Sequence, residues 1–384
     1  MAPRTLHHRP SRLAAVAVAA SVLATLSVGP SAGAASTTGA AATTSTVPAA
    51  GAASTTSVQT TSPANGIFSA GSVWRQDISK APLDPNSAAM AANLKAQVDK
   101  YYGGIAAFNV YKHNTSVYTV PAAQKRTTVK WNNCQKKTYT PSQLYTPSRG
   151  AHFVDVPLPD EALPAVASDG QLTIYSPSSD QMWEFWKAEK RADGWYACWG
   201  GRIDNVSKSH GFFSDGMGAS ASGLAVAAGS IRINEAQRGY IDHALSLAIP
   251  SPANWTNFSW PAQRSDGSDK AASAIPEGTR LRLDPSVDVD KLKLTPVAKM
   301  VAKSAQKYGF IVTDKSGAVS VQAESGAGAE SATGADPWRA LLGGTPSYLV
   351  FKNFPWDKMQ VLPKDYGKTS SPTVAATSPG VCPS

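Results

Sequence analysis

The chain lacks most of the residue patterns that announce a common chemistry. Its three cysteines form no CxxC pair and no Cys/His cluster, so the usual ligand spacing of a zinc site is missing. There is no glycine-rich phosphate loop and no dinucleotide fingerprint. Histidine is scarce and scattered, with six residues, two of which (His7 and His8) lie near the N-terminus. No internal repeat is visible, which argues against a propeller. Beyond residue 28 no apolar run approaches the roughly 20 residues needed to span a bilayer. These absences lead us to expect no cofactor and no metal. The Asp-bearing loops give calcium no ligand pattern.

What is present begins with an export signal. Arg4, Arg9 and Arg12 precede the apolar run Leu13–Val28, and Ala32-Gly33-Ala34 fits the small-x-small cleavage rule. Residues 1–34 are therefore expected to be a signal peptide and the protein to be secreted, with no membrane contact after cleavage. Residues 35–63 are almost wholly Ala, Ser, Thr and Gly, a composition too poor in apolar surface to fold, and read as a flexible linker. Residues 64–384 remain as a single domain. The formal charge is +9, of which the signal's three arginines leave +6, thinly spread. The one dense basic stretch, Lys125-Arg126 to Lys136-Lys137, reads as a solvated strand or loop, so no nucleic-acid partner is expected. Affinity for acidic polymers stays open.

Most segments read as short strands with turn signals between them. Only two read as substantial helices: Ser87–Asp99, with Met90, Leu94 and Val98 on one face, and Pro296–Tyr308, ended by Gly309. Phe310–Thr313 and Ala318–Gln322 read as a hairpin around Asp314–Gly317. The predicted fold is mostly all-β, a β-sandwich or jelly roll with one or two peripheral helices.

The densest signal is Gln181–Asp204, which holds four of the ten tryptophans around the turn Asp193-Gly194. Strand alternation places Met182, Glu184, Trp186, Trp195, Ala197, Trp199 and Ile203 on one face of a hairpin. Trp183, Phe185, Tyr196, Cys198, Arg202 and Asp204 fall on the other. Tryptophan faces stack on sugar rings, and an apolar setting raises a carboxyl's pKa as a general acid needs. Glu184 is thus the candidate acid/base or nucleophile of a glycosidase, with Trp186 and Trp199 as sugar platform. Asp180 or Asp204 would supply the second carboxylate. The structural alternative for Glu184 is a buried acid paired with Arg202, Arg280 or Arg282.

Two further sets stand beside it. His243, on the apolar face of Tyr240–Pro250, reads either as a core histidine or as the base of a polysaccharide lyase with Tyr240 as acid. Arg280 and Arg282 share a face and could bind an acidic group together. Gly218–Ser222 misses the serine-hydrolase elbow by one residue, since Ser222 stands where glycine is required. Three cysteines allow one bridge; with Cys198 read as a small apolar residue inside the hairpin, Cys134–Cys382 is the expected pair.

Several phrases together, among them SVWRQDISKAPLDPNSAAM (72–90), DQMWEFWKAEK (180–190), YIDHALSLAIP (240–250), GTRLRLDPSVDVDKL (278–292) and AQKYGFIVTDKSGAVSV (305–321), resemble a family of secreted actinobacterial proteins. The resemblance covers most of the chain after the linker. It implies an exported globular protein and brings no catalytic residues with it. At the level of fold class the chain is also similar to concanavalin A-like sandwiches. The function expected is an extracellular carbohydrate-active protein, a glycoside hydrolase acting on a polysaccharide. The alternatives are a non-catalytic module that binds a polysaccharide or cell-surface glycan, and a polysaccharide lyase. Nothing in the sequence bears on oligomeric state.

Overall fold

The longer of the two expected helices forms because its apolar residues recur once per turn. The computed structural model describes residues 57–368, which fall within one compact unit. Its helices are α1 (Ser87–Lys100), α2 (Val226–Gly229), α3 (Ile233–Arg238), α4 (Pro296–Lys307), α5 (Ala327–Thr333) and α6 (Pro337–Leu341). In α1, Met90, Leu94 and Val98 are buried as the spacing requires; full burial of Leu94 alone is worth about 2 kcal/mol. α4 starts where Thr295 Oγ1 accepts the Ala298 N–H at 3.1 Å and Pro296 takes the first helical position.

The strands are β1 (Ala107–Asn109), β2 (Thr115–Thr119), β3 (Lys130–Trp131), β4 (Gln171–Ser176), β5 (Gln181–Trp186), β6 (Glu189–Arg191), β7 (Gly194–Ala197), β8 (Trp199–Asp204), β9 (Leu245–Ile249), β10 (Arg280–Leu283), β11 (Phe310–Lys315), β12 (Ser320–Gln322) and β13 (Met359–Val361). They build three sheets, in the orders β1-β12-β9-β11-β10-β13, β2-β4-β5-β8 and β3-β7-β6. The fold is thus rich in strands but mixed rather than plainly all-β: β1–β12, β2–β4, β3–β7 and β9–β11 pair in parallel, and six helices accompany them among the described residues.

Two cores follow from strand alternation. Leu245, Leu247 and Ile249 of β9, with Leu281, Phe310 and Val312, face α1 and α4. Leu172, Ile174, Trp183 and Phe185 of the four-stranded sheet belong to a second cluster that also takes in Ile311. Gln322 of β12 donates to Gln171 Oε1 of β4 at 3.0 Å, one direct link between the two larger sheets.

Several expectations change here. The hairpin β11–β12 does not form; β9 lies between the two, parallel to β11 and antiparallel to β12. α2 and α5 occupy stretches too rich in Gly, Ala and Ser to show a helical stripe, and α6 is too short to show one. Part of the expected linker is folded: Gln59 and Thr119 exchange both backbone hydrogen bonds, at 2.8 and 2.9 Å. Residues 1–56, and with them the expected signal peptide and most of the linker, lie outside the described residues, as does Cys382.

Candidate functional site

The aromatic hairpin keeps the register that alternation predicts, with Gln181 opposite Asp204 and Trp186 opposite Trp199, and then Glu189 opposite Tyr196. Lys187, at φ +53°, breaks the ribbon between these halves, so β5–β8 and β6–β7 join different sheets. At that break, Trp186 and Trp199 face a cavity of about 880 Å³ between the two larger sheets. Its other walls include Ser246 and Ala248 of β9, Thr313 and Asp314 of β11, and Ser320 and Gln322 of β12.

Thr313 and Asp314 line this cavity although they are consecutive. Val312 pairs with Leu247 and Asp314 with Ala248, so β11 holds one extra residue at Thr313. The bulge turns Asp314 out of the strict alternation and into the cleft. Its carboxylate accepts N–H bonds from Lys315 at 2.9 Å and Ala221 at 3.2 Å. Burial, with Asp266 adding to it, pushes its pKa up to about 7.

Asp266 and Glu277 complete a cluster with Asp314, one carboxylate oxygen of each lying within 4.8 Å of the others. Asp266 is exposed at the rim. Glu277 is fully buried, and neither of its oxygens meets an N–H or hydroxyl donor. Burial and the adjacent Asp266 carboxyl push Glu277 up to about 9. Gly278, at φ +88°, makes the turn that aims Glu277; a Cβ there would run into the Ser259 carbonyl.

The glycine-rich stretch of residues 207–229 contributes one wall of the cleft. Arg264 donates to the carbonyls of Gly216, Gly218, Ser220 and Ala221, which fixes the loop as a cleft wall. Trp199 Nε1 donates to Gly216 O at 3.0 Å. Ser220 Oγ donates to Leu224 O and lies near Ser222 Oγ, and neither hydroxyl meets a histidine among the described residues. Across the cleft, His113 Nδ1 lies 2.9 Å from Asp169 Oδ2, and Trp186 Nε1 donates to Asp169 Oδ1 at 3.3 Å. His113 sits at φ +54°.

Of the expected site residues, only Trp186 and Trp199 line the cleft. Each carries a lysine over its ring, Lys187 at 4.7 Å and Lys137 at 5.3 Å from the centroid. Glu184 is fully buried and not a lining residue. Its oxygens accept the N–H groups of Val226 at 3.0 Å and Ala227 at 2.9 Å, so it caps α2, and burial raises it to about 7. No arginine among the described residues pairs with it. Asp180 and Asp204 stand at the opposite end of β5, roughly 16 Å along the strand from Trp186. There Asp180 accepts from Ser207 and Asp204 pairs with Arg202 at 2.9 Å.

The lyase and anion sets are also placed elsewhere. His243 is buried against Glu235, 3.0 Å from its carboxylate, with Nδ1 2.7 Å from Ala244 O. Tyr240 is exposed and stacked under Arg238 at 4.2 Å. Arg280 is buried and donates to Val73 O, with Nε and Nη1 left unpartnered, and Arg282 donates to Gln360 and to the carbonyls of Ile78 and Ser79; neither lines the cleft. The disulfide is corrected too: Cys134 is bridged to Cys198, not Cys382. Cys198 precedes Trp199, and the bridge anchors the segment that carries Gln135 and Lys137 beside the cleft.

No protein-family model, curated protein or solved structure matches this chain.

Proposed function

We propose that the protein is a secreted, carbohydrate-active protein, a glycoside hydrolase whose polysaccharide lies in the cleft against Trp186 and Trp199. The observation that carries this reading is that the two tryptophans share one cavity with a carboxylate cluster. The facing sheets would then act as the layers of an open sandwich with the substrate at its mouth. A disulfide within the domain fits an oxidising, extracellular setting.

In this reading Asp314 is the general acid, since its raised pKa keeps part of the population protonated near neutrality. Its proton passes to the leaving glycosidic oxygen while Asp266 attacks the anomeric carbon. Water then cleaves the glycosyl ester, giving its proton to Asp314. An oxygen spacing within 4.8 Å is nearer the separation of about 5–5.5 Å for retaining enzymes than the roughly 6.5–9.5 Å of inverting ones. Glu277 lies beside them as the third carboxyl of the cluster. His243 and Tyr240 lie away from the cleft and have no part in this reading.

A non-catalytic glycan-binding role is the second reading. What favours it is that the Asp314 carboxyl oxygens already accept two backbone N–H bonds, which tie them to the fold. The two readings separate on a polysaccharide panel. A hydrolase releases reducing ends without new ultraviolet absorbance, and Asp314→Asn abolishes the release. A binding module releases none and is depleted by insoluble polymer.

A further inference from the structure

We infer that Asp266, Glu277 and Asp314 form a binding site for a hard divalent cation, calcium above all, open to the cleft. Oxygen ligands sit 2.3–2.6 Å from calcium, so two on opposite sides of the ion are at most about 5 Å apart. The three carboxylates already place one oxygen each within 4.8 Å of the others. Asp266 and Glu277 come from the stretch between β9 and β10, and Asp314 joins them from β11.

The surrounding charges do not account for this cluster. None of the three acids forms an ion pair with a lysine, arginine or histidine among the described residues, in a chain of formal charge +9. Arg264 is close by, yet it spends its N–H groups on four loop carbonyls. Lys315 Nζ is directed to Ser268 Oγ at 3.4 Å. Glu277 is the decisive residue: it is fully buried, brings a carboxylate oxygen into the cluster, and has no hydrogen-bond partner for either oxygen. Buried carboxylates are normally paired or bound to a metal.

The donor set also chooses the metal. It consists of oxygens alone, with no imidazole or thiolate, which suits calcium, magnesium or manganese rather than zinc or copper. The N–H groups of Ala221 and Lys315 orient Asp314 as second-sphere groups orient a ligand. Three carboxylates supply three to six of the six to eight oxygens calcium takes. Water or sugar hydroxyls from the cleft complete the shell on the side of exposed Asp266.

The consequence for the cleft rests on the hydrolase reading above. A carboxylate bound to a cation has no proton to give a leaving group. The cation-loaded site therefore holds a glycan without cutting it, and cation and hydrolysis exclude one another.

Calorimetric titration of the EDTA-treated mature chain with calcium, magnesium and manganese tests the site. One-site calcium binding is expected at about 1 mM or tighter, the weak end of natural sites. Asp266→Asn, an exposed change that leaves the fold intact by circular dichroism, and Glu277→Gln are each expected to weaken it at least tenfold. No heat and no shift in melting temperature with about 10 mM calcium, or equal affinity in wild type and both variants, overturns the site. Reducing-end release in EDTA that falls on adding calcium supports the exclusion. Release that is unchanged in calcium, with binding established, overturns it. No release in either condition, with calcium binding intact, removes the hydrolase reading and leaves the cation site standing.

Discussion

Thr313 and Asp314 are adjacent in β11 and both line the same cleft, because a bulge adds one residue between the pairs Val312–Leu247 and Asp314–Ala248. Without it, Asp314 would turn toward the apolar side that Phe310 and Val312 occupy. Asp314→Asn, which removes the charge and keeps the shape, should lower activity by about 10²-fold or more at little cost in stability.

The Cys134–Cys198 bridge closes 64 residues of chain. Loop-closure entropy assigns such a bridge roughly 4 kcal/mol. Cys134→Ser should lower the melting temperature and release the segment carrying Lys137 from Trp199, weakening glycan binding as well. Non-reducing peptide mapping should recover Cys134 linked to Cys198. A peptide linking Cys134 to Cys382 would contradict the structure.

Stability should fall from pH 5 to pH 8. Glu184 and Glu324 are buried and raised from 4.5 to about 7 in the folded state. A raised carboxyl binds its proton more tightly when folded. Its stabilising proton is fully in place below the unfolded pKa and is lost as pH rises toward 7. At about 1.4 kcal/mol per unit, each group costs on the order of 3 kcal/mol by pH 8. Glu235 acts in the opposite sense: against the opposing effect of burial, His243 and Arg232 lower it to about 2. Its contribution is present above pH 4.5 and fades as pH falls toward 2. Melting scans across pH 3–9 should peak on the acid side of neutrality. A curve rising from pH 5 to 8 would refute these assignments.

His243 serves the fold. It is 3.0 Å from Glu235, which also pairs with Arg232 at 2.6 Å. Breaking a buried pair of this kind costs about 3–5 kcal/mol. His243→Asn should lower stability by that order while the activity per folded molecule stays unchanged, a split that equilibrium unfolding and specific activity read separately.

What the sequence made legible was local. The stripe of α1, the stop of α4 at Gly309 and the parity of Gln181–Asp204 follow from local pattern and hold. Trp186 and Trp199 were found because their shared face depends only on an even turn. Glu184 shares that parity, but parity says nothing of whether α2 or the cleft meets its carboxyl. Asp266 and Glu277 come from the stretch between β9 and β10 and Asp314 from β11, and no spacing rule unites them. The insertion of β9 between β11 and β12 brings Asp314 to the cleft wall, and it ran against the hairpin that sequence adjacency suggested. Cys198 was misjudged for a similar reason: burial in a hairpin does not exclude a partner arriving from another sheet.

The most direct test is reducing-end release by the mature protein in EDTA across a polysaccharide panel, with Asp314→Asn, Asp266→Asn and Glu184→Gln compared at equal folded concentration. The account expects release from at least one polymer, lost in Asp314→Asn and Asp266→Asn and retained in Glu184→Gln. Release that survives both cleft variants and disappears only in Glu184→Gln would contradict it, because the chemistry would then lie at the α2 cap and not in the cleft.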